Sequence, residues 1–475
     1  LMFEKGIRGG YSGVLGSRHI KANNKYLPDY DKEKESNYML YLDANNLYGW
    51  SMSQPLPTKN FKWVDDNYYK TGKPCLVECD LEYTTEAMVK TKKFPLAPHK
   101  RTINNKELSG YQNNLIELFN EKESKTDKLI LDLYDKQKYV IHYKLLNYYE
   151  SLGMKITKIH RTISFDEEPW LKKYIDNNTN NRAKATTNFE KDIWKLLNNS
   201  FYGKTVENIR GRCNVEIVND EKRAVRLFSK PNYHSRIIYD ENLASIQLKV
   251  KSVYYNKPIY TGMVVLDLSK LLMYKFYYET IEKTWDDNEI LYHCTDSFML
   301  NIKTDDVYED MKKIKKELDT SDYPQDHFLF SNDNKKVIGK FKDEENGKVI
   351  EEIICLRAKA YIIKVNNKEE DHKRLKGISK ATVKNQIHFE DYNTCLKDSI
   401  QYYHKMYNFK HFNQEIYTME INKKSLSPYD NKRYILDDGI KTNPHASKGT
   451  HAFFDLVESV CKDMSYEERL KCEYI

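Results

Sequence analysis

Two acidic residues that lie far apart in the sequence are placed where they could hold metal ions together. Asp43 ends the apolar, aromatic-rich run that starts at Asn37, which indicates a buried strand, and Asp296 lies in the polar centre of the apolar segment "ILYHCTDSFML". A carboxylate at the end of a buried strand is costly unless a positive charge compensates it. Because carboxylates from separate strands can hold two divalent cations about 3.5 to 4 Å apart, we expect Asp43 and Asp296 to converge on a two-metal site.

A second segment, "KLLNNSFYGK", predicts a polar and basic helix face. Lys195, Asn199 and Tyr202 fall at positions i, i+4 and i+7, and Lys191 and Asn188 extend the same stripe backwards. Such a stripe offers cations and an amide at spacings suited to a triphosphate. A solvated lysine face explains the same spacing, so this segment alone does not decide between the two interpretations.

Hydrophobic periodicity predicts the elements that must position these residues. The strands expected are "CLVECDLEY" (75–83), "MKITKIHRTISF" (154–165) and a strand, tight turn and strand from Glu289 to Ile302. The helices expected run from Lys128 to Leu152, with Gly153 as a stop signal, and from Val264 to Ile281.

Two further helices are predicted to form a hairpin between the carboxylates. The first has Ser164 as a candidate N-cap, with Glu167 three residues on and Pro169 in the first turn. It is followed by a basic connection that contains Arg182 and Lys184.

The second helix of the hairpin carries the basic stripe. It is expected to start at Thr187, where Glu190 completes a capping box, and to end before Gly203. The hairpin would therefore present its cations towards whatever the two carboxylates bind.

Composition sets the class of molecule. The 475 residues include 77 Lys+Arg against 70 Asp+Glu, a net charge of +7, and 40% are hydrophobic, which excludes a disordered chain and favours two to four lobes. No apolar stretch approaches the roughly 18 residues of a membrane span, and Leu1 to Arg8 lack the apolar core of a signal peptide. We therefore expect a soluble protein without a membrane partner.

The eight cysteines form no paired CxxC clusters, which is typical of reduced intracellular thiols. Cys75 and Cys79 share one face of a predicted strand, but without further ligands a metal role for them is disfavoured. The 38 tyrosines include rings that could stack on bases, although core packing accounts for most of them.

The order of the segments resembles motifs A, B and C of family B DNA polymerases, most closely the protein-primed branch found in some phages, viruses and Polinton (Maverick) transposons. Motif A, DxxSLYP in the family, is similar to Asp43–Gly49, and motif B, KxxxNSxYG, is matched at every fixed place by Lys195–Gly203. Motif C, YxDTDS, resembles Tyr292–Ser297, and the KxY signature resembles Lys359–Tyr361. The resemblance extends from about Gly6 to about Gly439.

The resemblance implies a set of functional residues. Asp43 and Asp296 would be the catalytic, metal-binding pair for two Mg²⁺ ions. The residues implied for nucleotide binding are Leu47, Tyr48, Arg182, Lys184, Lys195, Asn199 and Tyr202. The residues implied for DNA binding are Arg8, Gly9, Gly10, Lys359, Tyr361 and Lys376.

Individual roles follow from the same resemblance. Tyr48 would exclude a 2′-hydroxyl, and Arg182 is favoured over Lys184 as the phosphate clamp because a guanidinium binds bidentately. The implied partners are primer–template DNA, dNTPs and a terminal protein as primer, at an intracellular location such as the nucleus or a viral replication site. Later basic residues could grip a duplex or lie in solvated loops, and these are Lys335, Lys336, Lys340, Lys373, Arg374, Lys376, Lys432 and Arg433.

The implied fold is α+β, a right-hand polymerase with an antiparallel palm, helical-hairpin fingers and a small thumb. The expected divisions are an N-terminal linker region (1–37), palm (38–80), an insertion (81–160), fingers (161–205), a second insertion (206–255), palm (256–370), thumb (371–445) and a tail (446–475).

Three departures from the family pattern bear on activity. Cys294 replaces the first Asp of motif C, and Asn46 and Gly49 replace the serine and proline of motif A. About 40 residues precede Asp43, too few for the exonuclease domain that precedes motif A in the family. A catalytically inactive DNA-binding relic of a mobile-element polymerase is therefore the alternative to a DNA-directed DNA polymerase. An RNA polymerase or reverse transcriptase shares paired carboxylates but does not predict motif B.

Overall fold

A computed structural model describes residues 2–412 and 415–446; the tail predicted from residue 446 lies almost entirely outside them. Its strands are β1 (Ser12–Val14), β2 (His19–Lys21), β3 (Asn37–Ala44), β4 (Leu56–Val64), β5 (Cys75–Glu82), β6 (His99–Arg101), β7 (Lys128–Ile130), β8 (Lys136–His142), β9 (Lys155–Glu168), β10 (Cys213–Val218), β11 (Tyr233–Asp240), β12 (Leu243–Lys249), β13 (Asn288–Cys294), β14 (Ser297–Lys303), β15 (Leu318–Asp319), β16 (Phe341–Asp343), β17 (Ile350–Arg357), β18 (Ala360–Val365), β19 (His372–Leu375), β20 (Tyr402–Phe412), β21 (Glu415–Leu426), β22 (Tyr434–Ile435) and β23 (Thr442–Asn443).

The α-helices are distributed along the whole described chain. They are α1 (Met2–Gly6), α2 (Leu47–Met52), α3 (Thr85–Thr91), α4 (Gly110–Leu118), α5 (Tyr143–Ser151), α6 (Lys172–Lys184), α7 (Asn188–Thr205), α8 (Glu221–Phe228), α9 (Ile259–Lys275), α10 (Glu282–Thr284), α11 (Val307–Met311), α12 (Lys380–Gln386) and α13 (Phe389–Lys397). Within the described residues, no helix is long and apolar enough to cross a membrane.

The central sheet has six strands in the order β1-β13-β14-β3-β16-β15. Neighbouring strands are antiparallel except β15 and β16, which are parallel. The predicted strands around Asp43 and from Glu289 to Ile302 are confirmed as β3 and the β13–β14 hairpin. Strand β3 lies between β14 and β16, in the middle of the sheet. Asp43, near the end of β3, therefore lies beside the turn of the β13–β14 hairpin.

The predicted helix at Val264 to Ile281 is confirmed and starts earlier, as α9. A π-helical turn, Phe276–Ile281, continues it directly. Nearly every side chain from Thr261 to Tyr274 is buried, and α9 packs against α1, α2, α5 and α7. A helix that is buried on nearly all sides is a core helix, and α9 shares the main hydrophobic core with residues of β3 and β14.

A second sheet, in the order β4-β9-β5-β8, spans residues 56–168. The predicted helix from Lys128 to Leu152 is wrong over its first half, where β7 and β8 form instead. The reason is tertiary: β8 pairs with β5 from Leu76↔His142 to Leu81↔Lys136, and this pairing overrides local helical spacing. Only the final part is helical, as α5, and it stops at Gly153 with φ of +98° as expected.

The predicted helix start at Ser164 is also wrong. Strand β9 continues through Glu168, and α6 begins at Lys172. The Ser164 hydroxyl donates to the Lys62 carbonyl oxygen across the β4–β9 pair, and Glu167 accepts from Tyr143 and Lys144. The Ser164 side chain therefore joins β9 to β4, and the Glu167 side chain joins β9 to α5; neither caps a helix.

The start of α7 is confirmed, with Thr187 and Glu190 forming the complete capping box. The helix runs through Gly203 to Thr205, three residues further than expected. A buried hydrogen bond from Asn178 Nδ2 to Asn198 Oδ1, 2.9 Å long, joins α6 to α7. This bond fixes the two helices as a hairpin beside the central sheet.

Five further sheets are present in the described chain, two of which are the short pairs β6–β7 and β22–β23. Strands β10, β12 and β11 form a sheet covered by α8, and β19, β18, β17 and β2 form another against α13. Strands β20 and β21 form a long, largely exposed hairpin. The expected division at 80/81 falls inside β5, and that at 160/161 falls inside β9.

Burial bears on the interpretation of three individual side chains. Arg433, for which a duplex contact and a solvated loop were both open, is 2% exposed and donates to the carbonyl oxygens of Leu15 and Thr442, so it does not lie in a solvated loop. It joins the C-terminal strands to the central sheet. Cys75 and Cys79 are fully buried and burial raises the pKa of each thiol to about 12, which opposes thiolate metal binding.

Candidate active site

A cavity of about 530 Å³ opens where the central sheet meets the α6–α7 hairpin. It contains both predicted carboxylates and six of the seven residues predicted for nucleotide binding, all except Lys184. Its lining residues are Asp43, Ala44, Asn45, Asn46, Leu47, Tyr48, Arg182, Lys195, Asn199, Tyr202, Thr295, Asp296, Lys342 and Glu344.

The two carboxylates converge because of strand register. Asp43 lies opposite Ser297, and the amide of Ala44 donates to the Asp296 carbonyl oxygen over 2.7 Å. Thr295, with φ of +55°, makes the tight turn that places Asp296 beside the end of β3. Burial, followed by the charges of Asp296 and Glu344, raises the pKa of Asp43 to about 8. Burial also raises the pKa of Asp296.

Glu344 is a third carboxylate that sequence reasoning missed. Lys342 pairs in register with Asp43 across β16 and β3, and Glu344 follows two residues later on the same side of the chain. The intervening Asp343 points the other way, where it is buried and accepts from the Tyr323 hydroxyl. The alternation in "FKDE" was the available signal, because it places a lysine and a glutamate on one face.

Cations face these carboxylates from two directions. Lys195 and Arg182 line the cavity from the helical hairpin, and Lys195 lowers the raised pKa of Asp43 and of Asp296. Lys359 acts on Asp296 in the same direction from the turn between β17 and β18. Lys184 is exposed and lies outside the cavity lining, so the structure separates it from Arg182.

Tyr48 packs on Tyr202 with ring centroids 4.5 Å apart, which joins motif A to motif B. Leu47, just before it, is 3% exposed and packs into the main core. Tyr48 is therefore held from below by the start of α2 and from the side by α7. Its ring forms part of the cavity wall.

The two departures in motif A accommodate each other. Asn46, with φ of +45°, caps α2 by accepting a hydrogen bond from the Gly49 amide over 3.2 Å. A Cβ atom at position 49 would lie 2.2 Å from Asn46 Nδ2, so a proline there would clash with this cap. Asparagine and glycine thus replace the family's serine and proline as a matched pair.

The residues predicted to bind DNA occupy different environments. Lys359 and Lys376 are exposed and linked by a hydrogen bond from the Lys376 amide to the Lys359 carbonyl oxygen, 2.9 Å long. Tyr361 is 5% exposed, and its hydroxyl lies 3.2 Å from that of Tyr41. Lys359 and Lys376 can reach a ligand directly, whereas Tyr361 supports the sheet beneath them.

The "RGG" segment passes close to the motif C turn. Arg8 is buried, donates to the Val140 carbonyl oxygen and lies 3.6 Å from the centroid of the Tyr139 ring, so its side chain is not presented to a template. Gly9 borders open space. A Cβ atom at Gly10 would lie 2.4 Å from the Thr295 side chain, so glycine permits this close approach.

Cys294 lies one residue before the turn and pairs with Ser12 of β1. It is half-buried, outside the cavity lining, and near enough to Tyr48 and Lys432 to influence their protonation. Lys432 donates to the Ser12 carbonyl oxygen over 2.8 Å. Position 294, where the family has an aspartate, therefore lies close to Lys432.

The donor set fits divalent cations at the cavity. Two half-buried carboxylates with raised pKa values repel each other, and a shared divalent cation would relieve both this repulsion and the cost of burial. Among residues 2–412 and 415–446, no three His, Cys, Asp or Glu side chains are grouped to hold a metal ion. The predicted site is thus a two-carboxylate site with Glu344 as a nearby third charge.

The fold is polymerase-like, with a carboxylate-bearing sheet facing a basic helical hairpin. The chain belongs to the family described as DNA polymerase type B, organellar and viral, which matches residues 23–283, more than half of its 475 residues. Among curated proteins, none matches the chain.

Solved structures of Phi29 DNA polymerase share this fold. The complex with primer-template DNA and incoming nucleotide substrates gives a TM-score of 0.52 at 17% identity, covering 89% of this chain and 62% of that chain. The orthorhombic crystal form gives a TM-score of 0.53 at 15% identity, with the same coverage. The chain thus spans less than two thirds of the length of those polymerases. Family and fold together confirm the resemblance to family B DNA polymerases.

Proposed function

We propose that this chain is a DNA-directed DNA polymerase that transfers deoxynucleotides to a primer 3′-hydroxyl. The observation that carries the proposal is the convergence of Asp43 and Asp296 in one cavity faced by Lys195 and Arg182. Membership of the type B family supports it, as does the fold shared with a polymerase solved with primer-template DNA and nucleotides. The substrates proposed are primer–template DNA and dNTPs.

In the proposed reaction, the 3′-hydroxyl attacks the α-phosphate of the incoming dNTP and pyrophosphate leaves. Asp43 and Asp296 would hold two Mg²⁺ ions, which would lower the pKa of the hydroxyl and neutralise charge on the triphosphate. Lys195 and Arg182 compensate the charge that moves onto the leaving phosphates, and Arg182 can do so bidentately. The protein mainly positions and neutralises, as is general for phosphoryl transfer.

The cavity walls select the nucleotide. The Tyr48 ring, fixed against Tyr202, lies under the sugar and leaves no room for a 2′-hydroxyl. Asn199 and Tyr202 border the nascent base pair. Lys359 and Lys376 contact the primer backbone, which sets register without reading sequence.

The subdomains of a right hand follow from this assignment. The six-stranded sheet is the palm, the α6–α7 hairpin is the fingers, and residues 371–445, with the β20–β21 hairpin, are the thumb. By resemblance, a terminal protein supplies the priming hydroxyl and the chain serves a virus or mobile element inside a cell.

A second candidate is favoured by Cys294: a DNA-binding relic without catalysis. Loss of the outer carboxylate of motif C removes negative charge beside the cations. A primer-extension assay with Mg²⁺ and dNTPs separates the candidates. Extension by the wild-type chain supports the polymerase, whereas extension only after Cys294→Asp supports the relic.

A further inference from the structure

Asn45 of motif A is held by a segment that lies outside motifs A, B and C. Its amide donates to the Lys340 carbonyl oxygen and its carbonyl oxygen accepts from the Gly339 amide, each over 2.8 Å. Its side-chain Nδ2 donates to Asp319 Oδ2, also over 2.8 Å. The backbone amide, the backbone carbonyl oxygen and the side-chain Nδ2 of Asn45 are therefore held by β15 and by the loop before β16.

Asp319 is the centre of this arrangement. It is 2% exposed, and besides Asn45 it accepts from the Lys336 amide over 2.8 Å and from the Ser321 amide over 3.1 Å. Although burial opposes ionisation, the hydrogen bond from Lys336 and those from Ser321 and Asn45 hold the pKa of Asp319 below its ordinary value. The side chain is thus a charged acceptor that ties three separate backbone segments together.

The loop before β16, which contains Gly339, is closely packed. Gly339 has φ of +81°, and a Cβ atom there would lie 2.4 Å from Cδ1 of Trp50 on α2. The loop therefore contacts α2 at Trp50 and the start of motif A at Asn45. These contacts hold α2, which carries Tyr48, in place relative to the sheet.

We propose that Asp319 is a positioning residue that sets the height of Tyr48 under the sugar and so determines discrimination between deoxyribonucleotides and ribonucleotides. The proposal rests on the proposed polymerase function. Release of Asn45 would let the strained turn at Asn46 relax, and α2 would carry Tyr48 away from the sugar. A shift of 1 Å is enough to matter at a reacting centre.

The test is Asp319→Asn, with Asp333→Asn as the matched control. Asparagine has one acceptor oxygen and one donor NH2 group, so in either orientation it cannot accept from Asn45, Lys336 and Ser321 together. Asp333 is exposed on the same loop and lies outside the catalytic cavity, so its variant removes the same charge without touching Asn45. We expect the ratio of kcat/KM for dNTP over rNTP to fall about tenfold or more in D319N, as loss of a charge-assisted hydrogen bond predicts, and to stay within about twofold in D333N.

A double-mutant cycle with Asn45→Ala guards against a trivial loss of fold. In N45A, the buried Asp319 still accepts from the amides of Lys336 and Ser321 and so is not left without hydrogen-bond donors. If the two residues act as one unit, N45A/D319N discriminates no worse than either single variant. Additive losses, a folded D319N with wild-type discrimination, or an equal loss in D333N would each overturn the proposal.

The experiment also separates this proposal from the proposed function. Equilibrium binding of dUTP and of UTP, which differ only at the 2′ position, is measured with Ca²⁺ and a dideoxy-terminated primer–template, which needs no turnover. If the wild-type chain extends no primer but still prefers dUTP, and D319N loses that preference, the polymerase assignment fails while the role of Asp319 stands. An absence of preference in the wild-type chain would overturn the role of Asp319.

Discussion

The backbone amide of Ala44 donates to the carbonyl oxygen of Asp296 across 2.7 Å, which joins the end of β3 to the turn of the β13–β14 hairpin. This bond continues the β14–β3 register that brings Asp43 and Asp296 to one cavity. Two chain segments about 250 residues apart in sequence thus contribute to a single cavity.

The raised pKa of Asp43 predicts a pH-dependent stability in the presence of a chelator. Its folded pKa of about 8 exceeds the ordinary 3.8, so the folded state binds the proton more tightly than the unfolded state. The stability from this proton is full below pH 4 and is lost as pH rises through about 8. We expect the Tm to fall between pH 5 and about 8.5 with EDTA, and Mg²⁺ to reverse the fall. An unchanged slope in Asp43→Asn would contradict this origin.

The structure distinguishes the two basic residues that precede motif B. Arg182 lines the cavity and Lys184 does not. We predict that Arg182→Ala raises the KM for dNTP about tenfold or more, because a bidentate phosphate contact is lost. Lys184→Ala, which removes the same charge two residues away, is the control and leaves KM within about twofold. Steady-state kinetics measure both, and an equal effect of the two variants argues against the assignment.

Tyr48 is predicted to act through its ring and not its hydroxyl. Tyr48→Ala opens the space next to Tyr202, and we expect ribonucleotide incorporation relative to deoxyribonucleotide incorporation to rise about tenfold or more. Tyr48→Phe keeps the ring and preserves the preference. Competition assays with paired dNTP and rNTP report the ratio, and a Phe variant as permissive as the Ala variant would exclude the steric role.

The charge at position 294 is predicted to tune metal binding. Cys294→Asp restores a carboxylate near the cavity, and we expect the Mg²⁺ concentration for half-maximal extension to fall about threefold or more, since a charge in a site of low dielectric contributes more than in water. Cys294→Ser is the neutral control. A Mg²⁺ titration of primer extension distinguishes them, and identical curves for Asp and Ser would show that position 294 does not influence the cations.

The sequence predicted the local elements of the site well. The strand that ends at Asp43, the hairpin around Asp296 and the capping box at Thr187 all depend on local periodicity or on contacts three residues apart, which a sequence displays directly. The structure brings Asp43, Asp296, Lys195 and Tyr202 to one cavity in the way that the motif spacing implied.

What the sequence did not predict depends on distant partners. Strand β8 forms within a helical sequence pattern because it pairs with β5. Ser164 belongs to β9, where its hydroxyl donates to the backbone carbonyl oxygen of Lys62 on β4. Glu344 enters the site only because β16 pairs with β3. Arg8 and Arg433 look like nucleic-acid ligands in sequence, yet both donate to buried carbonyl oxygens. Tertiary context overrides local propensity in each of these cases.

Primer extension by the wild-type chain and by Asp296→Asn, with Mg²⁺ and all four dNTPs, tests the central claim most directly. The substitution keeps the shape of the side chain and removes the charge that, in the proposed mechanism, would hold a cation. We predict that the wild-type chain extends the primer and that the variant is slower by about a thousandfold or more, while its affinity for primer–template DNA stays within about threefold. A variant that extends as fast as the wild-type chain would contradict the account.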